Sequence, residues 1–235
     1  MTTEKWSSYV ARQRVVLAPS LLASDFANLE REVRRLEEGG AEVLHVDVMD
    51  GLFVPNISVG IPVVASLRKI TRLTLDVHLM IVDPGRYVEA FRKAGADVIS
   101  FHIEAESNPR PLLKRIKDLG ALAGLALNCG VPVDRVKPYV NDADILLVMS
   151  VPAGFGGQTF HYEALESVRA LRSLAPDDAV IEIDGGIDEN TIGAAAIAGA
   201  NLLVAGTGVF KASDYGDQMT KLRERALSAL RDCGE

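Results

Sequence analysis

Three short stretches of this chain place imidazoles and carboxylates where a buried β-strand would normally carry apolar side chains. They read Leu44-His45-Val46-Asp47-Val48-Met49-Asp50, Leu75-Asp76-Val77-His78-Leu79-Met80, and Glu182-Ile183-Asp184 ahead of Gly185-Gly186. Side chains alternate across a strand, so His45, Asp47 and Met49 share one face and the intervening valines take the other. The same parity groups Asp76, His78 and Met80. A lone strand histidine is usually a satisfied core residue, and a lone methionine is packing. Carboxylates resist that bland reading, because aspartate is seldom fully buried without a partner. Together His45, Asp47, His78 and Asp184, near the ends of three strands, form a donor set suited to zinc or another divalent transition metal. Asp76 stays open between orienting a neighbour by a hydrogen bond and pairing with a nearby cation. His102 and Glu104 repeat the pattern on another run and are expected to line the same mouth behind these four. His161 reads as a surface or helix-start residue.

A second group of residues suits an anion. Gly154-Phe155-Gly156-Gly157, Gly185-Gly186 and Gly206-Thr207-Gly208 each follow an apolar run and precede a helix-like segment. Glycine lets backbone N–H groups come close to a phosphate. One such pair is ordinary turn chemistry. Three in consecutive loops point to a phosphate site.

These residues need elements to hold them. Short apolar runs at 15–23, 43–49, 74–80, 98–104, 122–128, 145–151, 179–184 and 202–205 alternate with segments of helical periodicity. The helices are expected at 26–38, 62–70, 84–94, 109–119, 162–174, 190–198 and 215–231, with a short one near 133–140. A Gly-Ala or Gly-Gly pair ends several of them (Gly39-Gly40, Gly95-Ala96, Gly199-Ala200), as helix C-caps do. Eight strand–helix units of about 25–30 residues are the size of βαβ elements. Their unbroken alternation implies a parallel sheet covered by helices. An open dinucleotide-type sheet is disfavoured, because no Gly-x-Gly-x-x-Gly follows the first strand. The expected fold is therefore α/β, a single (β/α)8 TIM barrel, whose active site lies at the C-terminal ends of the strands.

Composition agrees with one such domain. The chain has 235 residues, 48% hydrophobic and 24% charged, with a net charge of −7. Its 25 lysines and arginines are spread out, which argues against nucleic acid as a partner. No apolar stretch is long enough to span a membrane. Cys129 and Cys233 lack metal-type spacing, so reduced thiols and a cytoplasmic setting are expected. Arg12 and Arg14 ahead of the apolar run 15–23 imitate a signal peptide. Pro19 interrupts that run, and the barrel count needs it as strand one. Residues 1–14 are read as a leader, and 15–235 as the barrel.

At this level of detail the sequence resembles the ribulose-phosphate 3-epimerase family, from about Leu17 to Phe210. The resemblance is carried by Ala18-Pro19-Ser20, His45-Val46-Asp47-Val48-Met49-Asp50-Gly51, Phe53-Val54-Pro55-Asn56, Asp76-Val77-His78-Leu79-Met80, Gly154-Phe155-Gly156-Gly157-Gln158 and Asp184-Gly185-Gly186-Ile187. It implies that His45, Asp47, His78 and Asp184 hold one divalent metal, zinc first, with iron, manganese or cobalt as alternatives. It also implies that Asp47 and Asp184 are the acid–base pair. Ser20 and His78 would touch the substrate, a small ketose phosphate. Met49, Met80 and Met149 would cap the reacting carbons, and Gly154, Phe155, Gly156, Gly157, Gly185, Gly186, Gly206 and Thr207 would hold the phosphate. A homo-oligomer is the family's habit. The implied activity is epimerisation of D-ribulose 5-phosphate and D-xylulose 5-phosphate at C3 through an enediolate. The chain departs from the family at Leu52, at Cys129-Gly130 and at Pro152-Ala153, all near the mouth. Those departures keep open a 3-epimerase of another ketose phosphate, such as allulose 6-phosphate. A phosphosugar-binding barrel without turnover is the non-enzymatic alternative. A decarboxylase or aldolase would need a strand-end lysine, which these runs lack.

Overall fold

The computed structural model describes residues 9–234 except residue 11. Eight parallel strands form one sheet in the order β1-β8-β7-β6-β5-β4-β3-β2. They are β1 (Val16–Pro19), β2 (Val43–Met49), β3 (Thr74–Met80), β4 (Val98–His102), β5 (Leu122–Leu127), β6 (Ile145–Met149), β7 (Val180–Asp184) and β8 (Leu202–Ala205). An isolated parallel bridge between Ser20 and His45 joins the two end strands, so the sheet curls into a barrel. Every strand is buried on both faces, as helix-covered parallel sheets are.

Alternation sorts the strand residues into two cores. One face packs outward against the helices in a large cluster that includes Leu44, Val46, Leu75, Val77, Phe101 and Leu146. The other face fills the lumen. Its lower part is apolar, with Val16, Val43, Val98, Ile145, Val180 and Leu202, and Val10 packs among them. Space in the lumen is tight at Gly124 on β5, where a Cβ would run into Ser100 Oγ. The upper lumen holds Met49, Met80 and Met149 with Val54, Val151 and Ala153. Between these apolar layers lie the buried polar groups His45, Asp47, Asp76, His78, Ser100, His102 and Glu182.

Several element boundaries differ from the expected ones, each for a local reason. The first strand stops at Pro19, because the Ser20 hydroxyl accepts the Leu22 N–H and starts a 3-10 turn over Leu21–Ala23. Asp25 caps a second 3-10 turn before the α-helix Leu29–Glu38. The run expected as strand to 104 ends at His102, and Ile103–Ala105 is again a 3-10 turn. The short helix near 133–140 consists of two 3-10 turns, Val133–Arg135 and Lys137–Tyr139. The last helix, Tyr215–Asp232, packs on Leu29–Glu38 and on Ile192–Ala198, covering the β8–β1 side. Among the described residues, no helix is long and apolar enough to cross a membrane.

Candidate active site and metal centre

The β2–β3 register sets the first layer of the site: His45 lies beside Asp76, Asp47 beside His78, and Met49 beside Met80. Met149 and Asp184 pair in the same way between β6 and β7. The predicted donors therefore converge at the C-terminal mouth. One ligand atom from each of His45, Asp47, His78 and Asp184 falls within 4.8 Å of the others.

The two imidazoles face that point with opposite nitrogens. His45 Nε2 and His78 Nδ1 are buried, have no hydrogen-bond partner, and each lies 3.4 Å from Asp47 Oδ1 and 3.9 Å from Asp184 Oδ2. Their remote nitrogens are occupied. His45 Nδ1 lies 2.7 Å from Asp76 Oδ2, and His78 Nε2 lies 2.8 Å from His102 Nε2. Unpartnered, dry nitrogen atoms are rare in folded proteins. Two of them aimed at two carboxylates fit a divalent cation, and the nitrogen and oxygen donors suit zinc or a first-row transition metal.

Charge separates the carboxylates. Burial raises the proton affinity of Asp184, and the charge of Asp47 raises it further, taking its pKa to about 7. Asp47 is also buried, but His45 and His78 outweigh that effect and hold its carboxyl well below the usual carboxylate range. Its Oδ2 additionally accepts the Ser20 hydroxyl at 2.6 Å. Burial would lower the pKa of His45, yet the charges of Asp47 and Asp76 lift it well above the histidine norm. Burial keeps His78 and His102 neutral, His102 with a pKa of about 4. Two carboxylates with displaced proton affinities are the arrangement used for acid–base work.

Above these groups opens a cleft. Asp47, Asp184, Ser20, Met49, Met80 and Met149 form its floor and walls, and the loops after β6, β7 and β8 supply Gly154, Phe155, Gly156, Gly157, Gly185, Gly186, Gly206 and Thr207. Among the described residues, no lysine or arginine lines it, so backbone N–H groups and the Ser20 and Thr207 hydroxyls are what the cleft offers an anion. Gly186 has φ +60, and a Cβ there would lie 2.7 Å from the Phe160 nitrogen. His78, expected to touch substrate as well as metal, has no exposed surface and does not line the cleft. Exposed His161 sits before the helix Ala164–Leu174, with its ring 3.4 Å from Cys129 Sγ.

Some contributors were not singled out in the sequence. Glu182 shares its face of β7 with Asp184 and ends 3.2 Å from His45 Nδ1; the parity applied to β2 and β3 would have found it. Asp50 accepts N–H bonds from Leu52, Phe53 and Val82 and so shapes the β2 loop. Asn56 donates to the Gly154 carbonyl at 2.8 Å, tying that loop to the glycine loop after β6.

Comparisons with known proteins agree with this geometry. The model of the "Ribulose-phosphate 3 epimerase family" matches residues 16–210. The ribulose-phosphate 3-epimerase of Synechocystis sp. is 45% identical over 216 residues, covering 90% of this chain and 94% of its own length. The cytoplasmic isoform of Oryza sativa is 48% identical over 212 residues, covering 88% and 92%. The Bacillus subtilis enzyme is 43% identical over 221 residues, covering 92% and 98%. Among solved structures, 3-hexulose-6-phosphate synthase from Salmonella typhimurium superposes with a TM-score of 0.69 at 18% identity, covering 92% of this chain and 100% of its own. That likeness speaks for the barrel alone. The family match and the relatives carry the assignment: this chain belongs to the ribulose-phosphate 3-epimerase family of carbohydrate isomerases.

Proposed function

We propose that this protein interconverts D-ribulose 5-phosphate and D-xylulose 5-phosphate by proton transfer at C3 between Asp47 and Asp184. Inverting that carbon means removing a proton next to a carbonyl and returning one on the opposite face. The reading is carried by one observation: two carboxylates of opposed proton affinity bring an oxygen each within 4.8 Å of one another on the cleft floor. Without a cation, Asp47 is ionised at neutral pH and ready to accept a proton, while Asp184 can hold one. The roles exchange with the direction of reaction. Positioned groups of this kind typically contribute about 10²–10⁴-fold.

His45 Nε2, His78 Nδ1, Asp47 and Asp184 would hold one divalent cation, for which zinc is the first choice. When bound there, it supplies a Lewis acid for the substrate oxygens and offsets the negative charge that develops on them. Ser20 orients Asp47 by donating to its Oδ2. The three methionines supply apolar bulk that excludes water without competing for the proton. The glycine loops take the phosphate, and the Asn56–Gly154 bond holds their near edge in place.

Incubation of the protein in deuterated water with each ketose phosphate tests the reading. Deuterium is expected at C3 of both pentulose phosphates, with slower labelling of allulose 6-phosphate. No label at C3 of any of them would leave only a phosphosugar-binding barrel. An aldolase-type or decarboxylase reading lacks its lysine, since none of the eight strands carries one.

The phosphate assignment has its own test. Alanine at Gly186 must adopt a left-handed conformation with its Cβ against the Phe160 backbone. Strain of this kind costs about 1–3 kcal/mol. KM is therefore expected to rise by about tenfold or more, with a smaller change in kcat. An unchanged KM in steady-state assays would take this loop out of the phosphate site. Cytoplasmic residence rests on the free cysteines Cys129 and Cys233. Homo-oligomerisation rests on the family resemblance, and sedimentation velocity would measure it.

A further inference from the structure

Beneath the cation-facing atoms lies a buried polar group that the proton transfer does not use. Asp76 on β3 and Glu182 on β7 have no exposed surface, and each directs a carboxylate oxygen to Nδ1 of His45. The distances are 2.7 Å from Asp76 Oδ2 and 3.2 Å from Glu182 Oε1. Asp76 is also the register neighbour of His45 in the β2–β3 ladder. Among the described residues, the ion pairs of both carboxylates run to His45 alone. Asp76 Oδ1 and both oxygens of Glu182 have no hydrogen-bond partner.

Stability does not explain such a cluster, because well-packed apolar residues commonly serve a buried site as well or better. The two nitrogens of imidazole do explain it. Neutral imidazole carries a single N–H, and a partner on one nitrogen decides which atom keeps the lone pair. When His45 gives up its extra proton, as binding a cation requires, the Nδ1–H given to Asp76 leaves the lone pair on Nε2, which faces the site 3.4 Å from Asp47 Oδ1. Without that acceptor the hydrogen would move to Nε2, where Asp47 would accept it, and the ring would offer no lone pair to a cation.

We propose that Asp76 is a positioning residue. Its hydrogen bond fixes His45 in the Nδ1–H tautomer whose Nε2 can bind a divalent cation, and Glu182 lies beside it. This inference rests on the proposed reading of the four donors as a cation site. His78 is set in the opposite sense: its Nε2–H goes to His102, and its Nδ1 faces the site.

The test is cobalt and zinc affinity of metal-stripped, full-length protein, read by competition with a chromogenic chelator. Asp76→Asn keeps the shape but can turn an N–H₂ toward the ring. Its affinity is expected to fall roughly 10- to 100-fold, in a stripped protein that still melts cooperatively. Wild-type affinity in a folded Asp76→Asn variant would overturn the proposal. A second measurement needs no variant. In zinc-loaded wild type carrying ¹⁵N-histidine, long-range proton–nitrogen correlation should place a proton on Nδ1 of His45 and on Nε2 of His78. A proton on Nε2 of His45 would overturn the proposal even if the variant failed to fold. A wild type that takes up neither metal would sink the cation-site reading along with it. A wild type that binds while Asp76→Asn binds equally well would sink the positioning role alone.

Discussion

Replacing Asp184 with asparagine is expected to lower kcat by about 10²–10⁴-fold while leaving hydrogen exchange at C3 of one epimer intact. The asymmetry follows from the proton-carrying roles proposed for the two carboxylates on the floor of one cleft. Each carboxylate serves one face of a planar intermediate, so losing one blocks inversion without blocking removal and return of a proton by the other. Asp47→Asn should fail in the mirror sense and exchange C3 hydrogen only in the other epimer. Asparagine suits the purpose because it has the size of aspartate and retains a carbonyl oxygen that can still face a cation. The measurement pairs steady-state epimerisation with deuterium content at C3, starting from each epimer separately, and metal content is assayed on the same samples. Either variant keeping wild-type kcat would remove that residue from the reaction. Both variants exchanging the same epimer would exclude a two-carboxylate mechanism and favour one base serving both faces.

How far the sequence reaches can be judged from individual residues. The barrel was legible because every βα unit repeats the same physical contrast, an apolar run followed by a helical stripe. The four donors were legible because strand parity is strict: once β2 is a strand, His45 and Asp47 must share a face. End points were harder to place. The run 15–23 is apolar throughout, and nothing in its hydrophobicity says that Ser20 turns the chain by accepting the Leu22 N–H. Glu104 was expected on a strand, yet it lies in a 3-10 turn, where its Oε1 accepts the Asn128 N–H at 3.1 Å. Contacts between distant loops left no periodic trace at all. Asn56 and Gly154 are separated by 98 residues, and only the closed sheet brings their loops together. Ser20 was expected to reach the substrate. It does line the cleft, but its hydroxyl also binds Asp47, a pairing of β1 with β2 that appears only when the barrel closes.

Stripping the protein with a chelator is expected to abolish turnover, and adding back a divalent transition metal should restore it, with a pH dependence set by the donors themselves. Without a cation, Asp184 holds a proton up to about pH 7, and His45 stays charged because Asp47 and Asp76 outweigh its burial. A cation can bind only after both protons leave. Apparent affinity should therefore rise with pH, by about two decades per unit below pH 7 and about one above it while His45 remains charged. The same shifts fix the stability of the stripped protein. Both groups have folded-state pKa values raised above their ordinary ones, so their contribution is complete at low pH and is lost as pH rises through the folded values. His78 and His102 are shifted the other way, and their contribution is already complete once pH exceeds the ordinary histidine value near 6.5. The loss at Asp184 runs from about pH 4 to 7 and that at His45 begins near pH 6.5, so between pH 6.5 and 8 the loss at His45 and the tail of that at Asp184 are unopposed by these two histidines. The stripped protein should lose melting temperature across that window, and the loaded protein should not. Calorimetric binding curves at pH 6, 7 and 8, with melting scans on both forms, would decide the matter. Affinity independent of pH would mean that Asp184 and His45 do not meet the cation, and the four-donor site would have to be abandoned.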